Sequence, residues 1–142
     1  MRRSRHSEDS RLFFDWLEIA ARDLQAARLL AGQDQCLEIA GFHCQQCMEK
    51  AFKAYLIRHT GQLVDGHNLS WLCRQAVKIR NDFARWRDPL AEMNRLYIET
   101  RYPSDHELDL TPESLEQIIH ITDEIYTLIC DDIYGEDPAV ED

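Results

Sequence analysis

The chain has 142 residues, of which 44% are hydrophobic, with five glycines, four prolines and a formal net charge of −10. This length predicts one domain with room for a hydrophobic core. The scarcity of glycine and proline favours helices, and no apolar run is long enough to span a membrane. The acidic total argues against a protein that coats DNA in general, because DNA is itself an anion. The basic start of the chain leads into no apolar signal region, so we expect a cytoplasmic protein.

Two long helices are predicted first. Apolar residues recur at spacings of three and four over residues 12–30, which indicates an amphipathic helix whose charged residues, Asp23 among them, fall mainly on the outward side. A second and longer helix is predicted over residues 36–59, and Gly61 behind it is a stop signal.

Three further helices follow a connecting loop. The third begins at Asn68 or Ser70, either of which can cap it. The fourth begins around Pro89, because proline suits the first turn, and must end before Pro103. The last opens at Thr111 with a cap, a proline and an early acid in order.

The chain shows no alternating strand pattern of useful length and no internal repeat. We therefore predict an all-α fold, an antiparallel up-down four-helix bundle to which a shorter fifth helix is an optional addition. Three segments are expected: a basic N-terminal arm at 1–11, the helical bundle at 12–134 and an acidic tail at 135–142.

Charge is divided unevenly along the chain. Residues 1–103 carry all 16 lysines and arginines and 13 acids, a net of +3, while residues 104–142 carry the other 13 acids and neither basic residue type, a net of −13. An acidic solubilising face is the simpler interpretation, but a basic face on the first hundred residues can hold a nucleotide or RNA. The best basic patch, suited to RNA or to an acidic protein, consists of Arg74, Lys78, Arg80, Arg85 and Arg87.

A C-x-x-C motif lies in the second helix at Cys44 and Cys47 and follows His43. This order suggests zinc binding or redox chemistry, but a second ligand pair and a surrounding βαβ pattern are both missing. The favoured interpretation is semi-buried residues one helical turn apart. We predict no metal and no cofactor.

Four segments in order resemble the HEPN domain, named for higher eukaryotes and prokaryotes nucleotide-binding. They are WLEIAARDLQAARLL, AGFHCQQCMEKAFKAYLIRHTG, GHNLSWL and LYIETRYP, and the resemblance covers about residues 12–133. The pattern F-H-x-x-Q-x-x-E-K-x-x-K-A at 42–54 is the most specific part. His67 with Leu69, and the Tyr-x-x-x-Arg-Tyr-Pro of residues 97–103, support it.

This resemblance implies an antiparallel helical bundle that commonly forms a homodimer. Members often stand beside, or are fused to, a minimal nucleotidyltransferase with which they form a toxin–antitoxin pair. Many others resemble metal-independent ribonucleases, in which Arg-x(4–6)-His motifs of two protomers meet and RNA is cut through attack by its 2′-hydroxyl.

The polar residues of the second helix form the first candidate site. The resemblance implies that His43, Gln46, Lys50 and Lys53 bind a nucleotide or RNA, with the lysines on phosphate and the glutamine on a base edge or ribose. The alternative is a polar seam in which Glu49 pairs with Lys53 on the helix surface.

The second candidate site is the stretch TRYPSDHELD at residues 100–109. In a ribonuclease, Arg101 would stabilise charge on the phosphate and His106 would act as general acid or base. The tyrosine after Arg101, Pro103 and the acids around His106 weaken this hypothesis. Two alternatives are a helix stop, with Arg101 on the last carbonyls, and non-catalytic nucleotide or RNA binding by Arg101 and Tyr102.

The sequence thus predicts a nucleotide- or RNA-binding interaction module that is a homodimer and the partner of a minimal nucleotidyltransferase. The competing hypotheses are a metal-independent endoribonuclease toxin that uses Arg101 and His106, and a purely structural oligomerisation domain. His67 is expected to be a structural hydrogen-bonding residue, with a ligand role left open.

Overall fold

The computed structural model describes residues 10–65, 68–101 and 110–135, and for residues 95–101 it describes the backbone alone. These residues form α-helices joined by short helical turns, and no strand occurs among them. A 3₁₀ turn at Asp34–Cys36 precedes the second helix, another at Asn81–Trp86 precedes the fourth, and a π-helical turn at Asp131–Gly135 follows the fifth. The five α-helices are α1 Phe13–Leu30, α2 Leu37–Thr60, α3 Leu69–Ile79, α4 Arg87–Arg101 and α5 Pro112–Cys130.

The helix ends follow the local signals of the sequence. The Asn68 side chain accepts a hydrogen bond of 2.8 Å from the backbone N–H of Trp71 and caps α3. Thr111 and Ser114 form a reciprocal capping box at the start of α5. Gly61 ends α2 with φ of 77°, in the left-handed region that favours glycine. The helix α4 starts at Arg87 and ends at Arg101, directly before the Tyr102-Pro103 pair, as the proline requires.

The second helix is the centre of the fold, because it contacts each of the other four. Its packing with α1 is the most extensive contact between elements, and α5 lies against both α1 and α2. The predicted all-α class is confirmed, and the described residues form five α-helices, of which α3 is the shortest with 11 residues. The antiparallel up-down order stays a prediction.

An aromatic cluster closes the core where α2, α3 and the turn before α4 meet. The ring of Phe83 lies 5.6 Å from Phe52, 5.0 Å from Tyr55 and 6.0 Å from Trp86, measured between centroids. Phe83 is fully buried although it belongs to a stretch without helical periodicity. Edge-on aromatic pairs of this kind stabilise a core beyond the area that they bury. Among the described residues, no helix is long and apolar enough to cross a membrane.

Candidate functional site

Asp23 joins two residues of the first candidate site. Its Oδ1 lies 2.8 Å from Nδ1 of His43, and its Oδ2 accepts a hydrogen bond of 2.8 Å from Nζ of Lys50. His43 and Lys50 are seven residues apart on α2, so they lie two turns apart on one face of that helix. Asp23 is 8% exposed, and the expectation that it faces outward from α1 is wrong. It turns toward α2, where the His43 imidazole and the Lys50 ammonium meet it.

The contacts with Asp23 determine which polar atoms of His43 and Lys50 remain for a ligand. With Nδ1 of the imidazole held by the carboxylate, Nε2 is the nitrogen of His43 that remains for another partner. The ammonium of Lys50 has three donors, of which Asp23 takes one. The side chains of His43 and Lys50 are 28% and 24% exposed, so a ligand can reach both. The carboxylate neutralises the lysine, which reduces the attraction of the pair for an anion.

Gln46 and Lys53 lie on the same side of α2 and are half-buried. On an ideal helix the four predicted residues of α2 span an arc of roughly 80°. The Lys53 ammonium lies 5.5 Å from the ring centroid of Trp16, whose indole N–H donates to the carbonyl of Ser10 over 2.9 Å. Lys53 therefore covers an aromatic face of α1 and keeps a charge that no described carboxylate neutralises.

The opposite side of α2 faces α4 and the chain that follows it. A Cβ atom at Gly41 would lie 3.6 Å from a methyl group of Leu110, and the Gln45 amide contacts Asn94 of α4 over 3.5 Å. On an ideal helix, Gly41 and Gln45 point away from His43 by about 160° or more. Leu110 directly follows the stretch that carries the Arg-x-x-x-x-His match. The chain leaving that stretch thus reaches α2 on the side remote from the polar face.

The structure leaves part of the second candidate site undescribed. Arg101 is the last residue of α4, and its side chain is not described. Tyr102, His106 and the loop residue His67 lie outside the described residues. That Arg101 and His106 lie together in one site stays a prediction.

A second polar cluster, which the sequence did not indicate, holds the end of α5 against α2. Asp132 accepts hydrogen bonds from His59 at 2.8 Å, from Arg80 at 2.9 Å and from Tyr55 at 3.2 Å. Burial alone would raise the pKa of Asp132, but these three hydrogen bonds outweigh it and hold the pKa below its usual value. Arg80 also binds Asp82 at 2.7 Å, so two carboxylates neutralise it.

The cysteines of the C-x-x-C motif are core residues. Cys44 and Cys47 are fully buried and unbridged, and no group of three or more metal-binding side chains occurs in the part of the chain that the structure describes. Burial raises the pKa of Cys44 to about 11, against a smaller opposing effect of its hydrogen bond with Thr122, and burial also raises the pKa of Cys47. Both thiols therefore stay protonated, whereas a metal ligand or nucleophile needs the thiolate.

Thiol reactivity tests this interpretation. At pH 8, Ellman's reagent is expected to modify Cys36 quickly, because it is half-exposed, and Cys130 more slowly, because burial raises its pKa. Cys44, Cys47 and Cys73 should react only after denaturant is added. In a Cys36→Ser variant the fast phase should vanish, and rapid labelling of Cys44 or Cys47 there would contradict a purely structural role.

A surface depression of about 610 Å³ lies elsewhere, along α5. Glu113, Glu116, Gln117, His120 and Ile121 line it. Two glutamates make it unsuited to a phosphate, and none of the described residues that line it belongs to a predicted site.

Comparison with known proteins identifies the family of the chain. No curated protein and no solved structure matches the chain. A family model, the HEPN domain, matches residues 14–133, which include both polar clusters and the five helices except for the first residue of α1. The chain therefore belongs to the HEPN domain family.

Proposed function

We propose that the chain is a nucleotide-binding HEPN module whose ligand site is the polar face of α2, formed by His43, Gln46, Lys50 and Lys53. The observation that carries this proposal is the attachment of His43 and Lys50 to Asp23, with both side chains still partly exposed. A site held in place by a buried carboxylate binds a ligand without first ordering its own side chains.

The four residues of the site differ in charge and in hydrogen-bonding groups, so each suits a different part of a nucleotide. Asp23 offsets the charge of Lys50, so Lys53 supplies the uncompensated positive charge for a phosphate. The Gln46 amide has both donors and acceptors and suits a base edge or a ribose hydroxyl. Nε2 of His43 offers one further hydrogen bond. Arg101 and Tyr102 are additional candidates for phosphate and base contacts.

Lys53→Ala tests this site. ATP is expected to raise the melting temperature of the wild-type protein, because a ligand that binds only the folded state stabilises it. The variant should lose most of that increase, since it removes the uncompensated charge. Differential scanning fluorimetry with ATP, GTP, CTP and UTP measures the effect. Arg22→Ala is the matched control, because Arg22 is an exposed cation on α1 that already pairs with Glu18. An unchanged increase in Lys53→Ala, or none with any nucleotide in the wild type, would reject the site.

We also propose that this module is a cytoplasmic homodimer and the partner of a minimal nucleotidyltransferase in a toxin–antitoxin-like pair. Membership of the HEPN family supports a nucleotide- or RNA-related role in general. Co-expression with a nucleotidyltransferase encoded by a neighbouring gene, followed by size-exclusion chromatography with light scattering, tests both statements. Separate elution of the two proteins would reject the pair, and a monomeric mass would reject the dimer. If neither a nucleotide nor this partner binds, the structural oligomerisation hypothesis becomes the better one.

The alternative function is a metal-independent endoribonuclease that uses Arg101 and His106. One observation favours it: α4 ends at Arg101 and the chain is anchored again at Leu110 beside Gly41, so only eight residues separate two fixed points. The separation of Arg101 and His106 by only five positions in the sequence supports this alternative.

Cleavage of RNA in the presence of EDTA tests the ribonuclease. If this function holds, Arg101→Ala and His106→Ala should each reduce the cleavage rate by at least about 100-fold, the contribution expected of a positioned acid–base group. Gel assays with a labelled RNA measure the rate. Cleavage that survives both substitutions would have to be assigned to other residues or to a contaminant.

A further inference from the structure

A set of cations on and after α3 lacks the ion pairs that four other basic residues make. Arg22, Arg28, Lys50 and Arg80 each lie within 4.0 Å of a carboxylate. Among the described residues, no carboxylate lies within that distance of the basic side chains that we call the α3 basic surface. This surface consists of Arg74, Lys78, Arg85 and Arg87.

The fold places these four side chains on neighbouring elements. Arg74 and Lys78 lie one turn apart on α3 and are exposed. Arg85 and Arg87 come from the 3₁₀ turn and the first residue of α4, and both elements pack against α3. Burial raises the pKa of Cys73 on α3 to about 11, and the charges of Arg87 and Arg74 oppose that effect. The four residues are therefore exposed cations on three elements that pack together.

Local contacts hold two of the arginines ready for a ligand. The Arg74 guanidinium donates to the Ser70 hydroxyl over 3.2 Å. The Arg85 guanidinium lies 4.1 Å from the ring centroid of the buried Trp86, which fixes its plane and leaves its N–H groups free to face solvent. Both side chains lose less conformational freedom on binding than a free arginine would.

The charge of this region suits a polyanion. Residues 69–87 carry five lysines and arginines and one acid, a net of +4, while residues 104–142 carry a net of −13. The one acid, Asp82, is bound by Arg80, and Asp88 on the first turn of α4 is the next acid along the chain. Three of the four cations are guanidiniums, whose planar fork matches two phosphate oxygens.

We propose that the α3 basic surface binds the phosphate backbone of RNA, without regard to sequence, as a site separate from the nucleotide site on α2. Four uncompensated cations spread over three elements exceed what one nucleotide can contact, whereas an RNA strand presents a phosphate at every residue. An acidic protein also presents negative charges, but its carboxylates do not follow one another at the regular spacing along a backbone that the phosphates of an RNA strand have.

The test measures binding of fluorescently labelled 20-nucleotide poly(A) and poly(U) by anisotropy over a range of salt concentrations. The wild type should bind both with similar affinity and with a strong dependence on salt, because cations displace counterions from the phosphates. The quadruple Arg74→Gln, Lys78→Gln, Arg85→Gln, Arg87→Gln variant should bind at least about tenfold more weakly at low salt. The slope of log K against log salt should become shallower by about 0.7 for each phosphate that the variant no longer neutralises.

The matched control is Arg22→Gln with Arg28→Gln, which removes two cations that already pair with acids. This control should keep the wild-type affinity and slope for RNA. An equally weakened affinity in the control and in the quadruple variant would overturn the proposal, and so would an unchanged affinity in the quadruple variant. Arg74→Glu with Arg87→Glu is a second variant that reverses charge at two exposed positions and should abolish binding at low salt.

Two further measurements separate the competing explanations. If poly-L-glutamate displaces the RNA as effectively as unlabelled RNA does, the surface recognises acidic protein and the RNA assignment is wrong. The melting-temperature increase with ATP should persist in the quadruple variant, because Lys53 is intact, and RNA binding should persist in Lys53→Ala. The RNA proposal and the proposed nucleotide site can therefore fail independently.

Discussion

Asp23→Ala is expected to lower the free energy of unfolding by about 3 kcal/mol. This decrease is much larger than the one expected for a solvent-exposed acid of the same helix. The substitution removes hydrogen bonds of 2.8 Å to His43 and to Lys50. It also leaves the Lys50 ammonium, 24% exposed, without its counter-charge at the junction of α1 and α2. Urea denaturation followed by circular dichroism measures the decrease.

Glu18→Ala is the control on the same helix. Its partner Arg22 and the glutamate itself are 71% and 66% exposed, so removing this ion pair should cost less than about 0.5 kcal/mol. The double variant Asp23→Ala, Lys50→Ala should be more stable than the sum of the two single effects predicts, since neither group is then left unpaired. Additive effects, or a cost for Asp23→Ala as small as that of Glu18→Ala, would show that Asp23 does not hold α1 to α2.

Asp132→Asn is expected to have the second largest effect, a decrease in stability of about 2 kcal/mol near neutral pH. The amide keeps the size of the side chain but replaces the charged carboxylate, whose oxygens accept hydrogen bonds from His59, Arg80 and Tyr55. One of its two ends becomes a donor, which cannot pair with the Arg80 guanidinium. The end of α5 would then be held less firmly against α2.

The cost of Asp132→Asn should depend on pH in one direction. Because the pKa of Asp132 is lower in the folded protein than the value of about 3.9 in an unfolded chain, the ionised group stabilises the fold above that value. This contribution disappears as the pH falls through the folded pKa, since both states then bind the proton. The difference in unfolding free energy between wild type and variant should shrink as the pH falls below about 4.

Asp82→Asn tests whether the stabilisation comes from the cluster around Asp132 or from the pairing of Arg80 alone. Asp82 binds the same arginine at 2.7 Å but is 56% exposed, so its substitution should cost less than about 1 kcal/mol. Equal costs at Asp82 and Asp132, measured by urea denaturation at pH 7, would mean that Arg80 alone accounts for the stabilisation. A gap between the two variants that widens below about pH 4 would contradict the expected sign.

The two clusters have a common consequence for the central helix. Asp23 ties the polar face of α2 to α1, and Asp132 ties its carboxyl end to the turn after α5. The α2 side chains proposed to bind a nucleotide therefore lie on a helix that is held at two places. A rigid support of this kind preserves the geometry of a binding site.

Local patterns are sufficient to predict the helices and their ends. Asn68, Thr111 and Gly61 act on backbone groups within three or four residues of themselves, so their effect can be deduced without knowing what packs nearby. The same holds for the end of α4 before Pro103, because proline restricts the residue that precedes it. The 3₁₀ turn that buries Phe83 is not predictable in this way, since its burial depends on Phe52 and Tyr55 and not on periodicity.

The candidate site can be predicted only in part. The spacing of His43, Gln46, Lys50 and Lys53 places them on one side of α2 in any helical fold, and the resemblance to the HEPN domain singles them out. Asp23 cannot be deduced, because it is one of several acids of α1, and only the way in which α1 packs on α2 selects the one that faces His43 and Lys50. Arg80 likewise belongs to a basic patch in the sequence, but the fold brings Asp132, 52 residues away, to its guanidinium.

The sequence by itself determined the all-α class, the helix signals at Gly61, Asn68 and Thr111 and the family, because these rest on periodicity, caps and motifs that act over a few residues. Only the tertiary structure decided which charges are neutralised and which remain available to a ligand. The reason is physical: an ion pair requires approach within about 4 Å, and for Asp23 and Asp132 the partners come from distant parts of the chain.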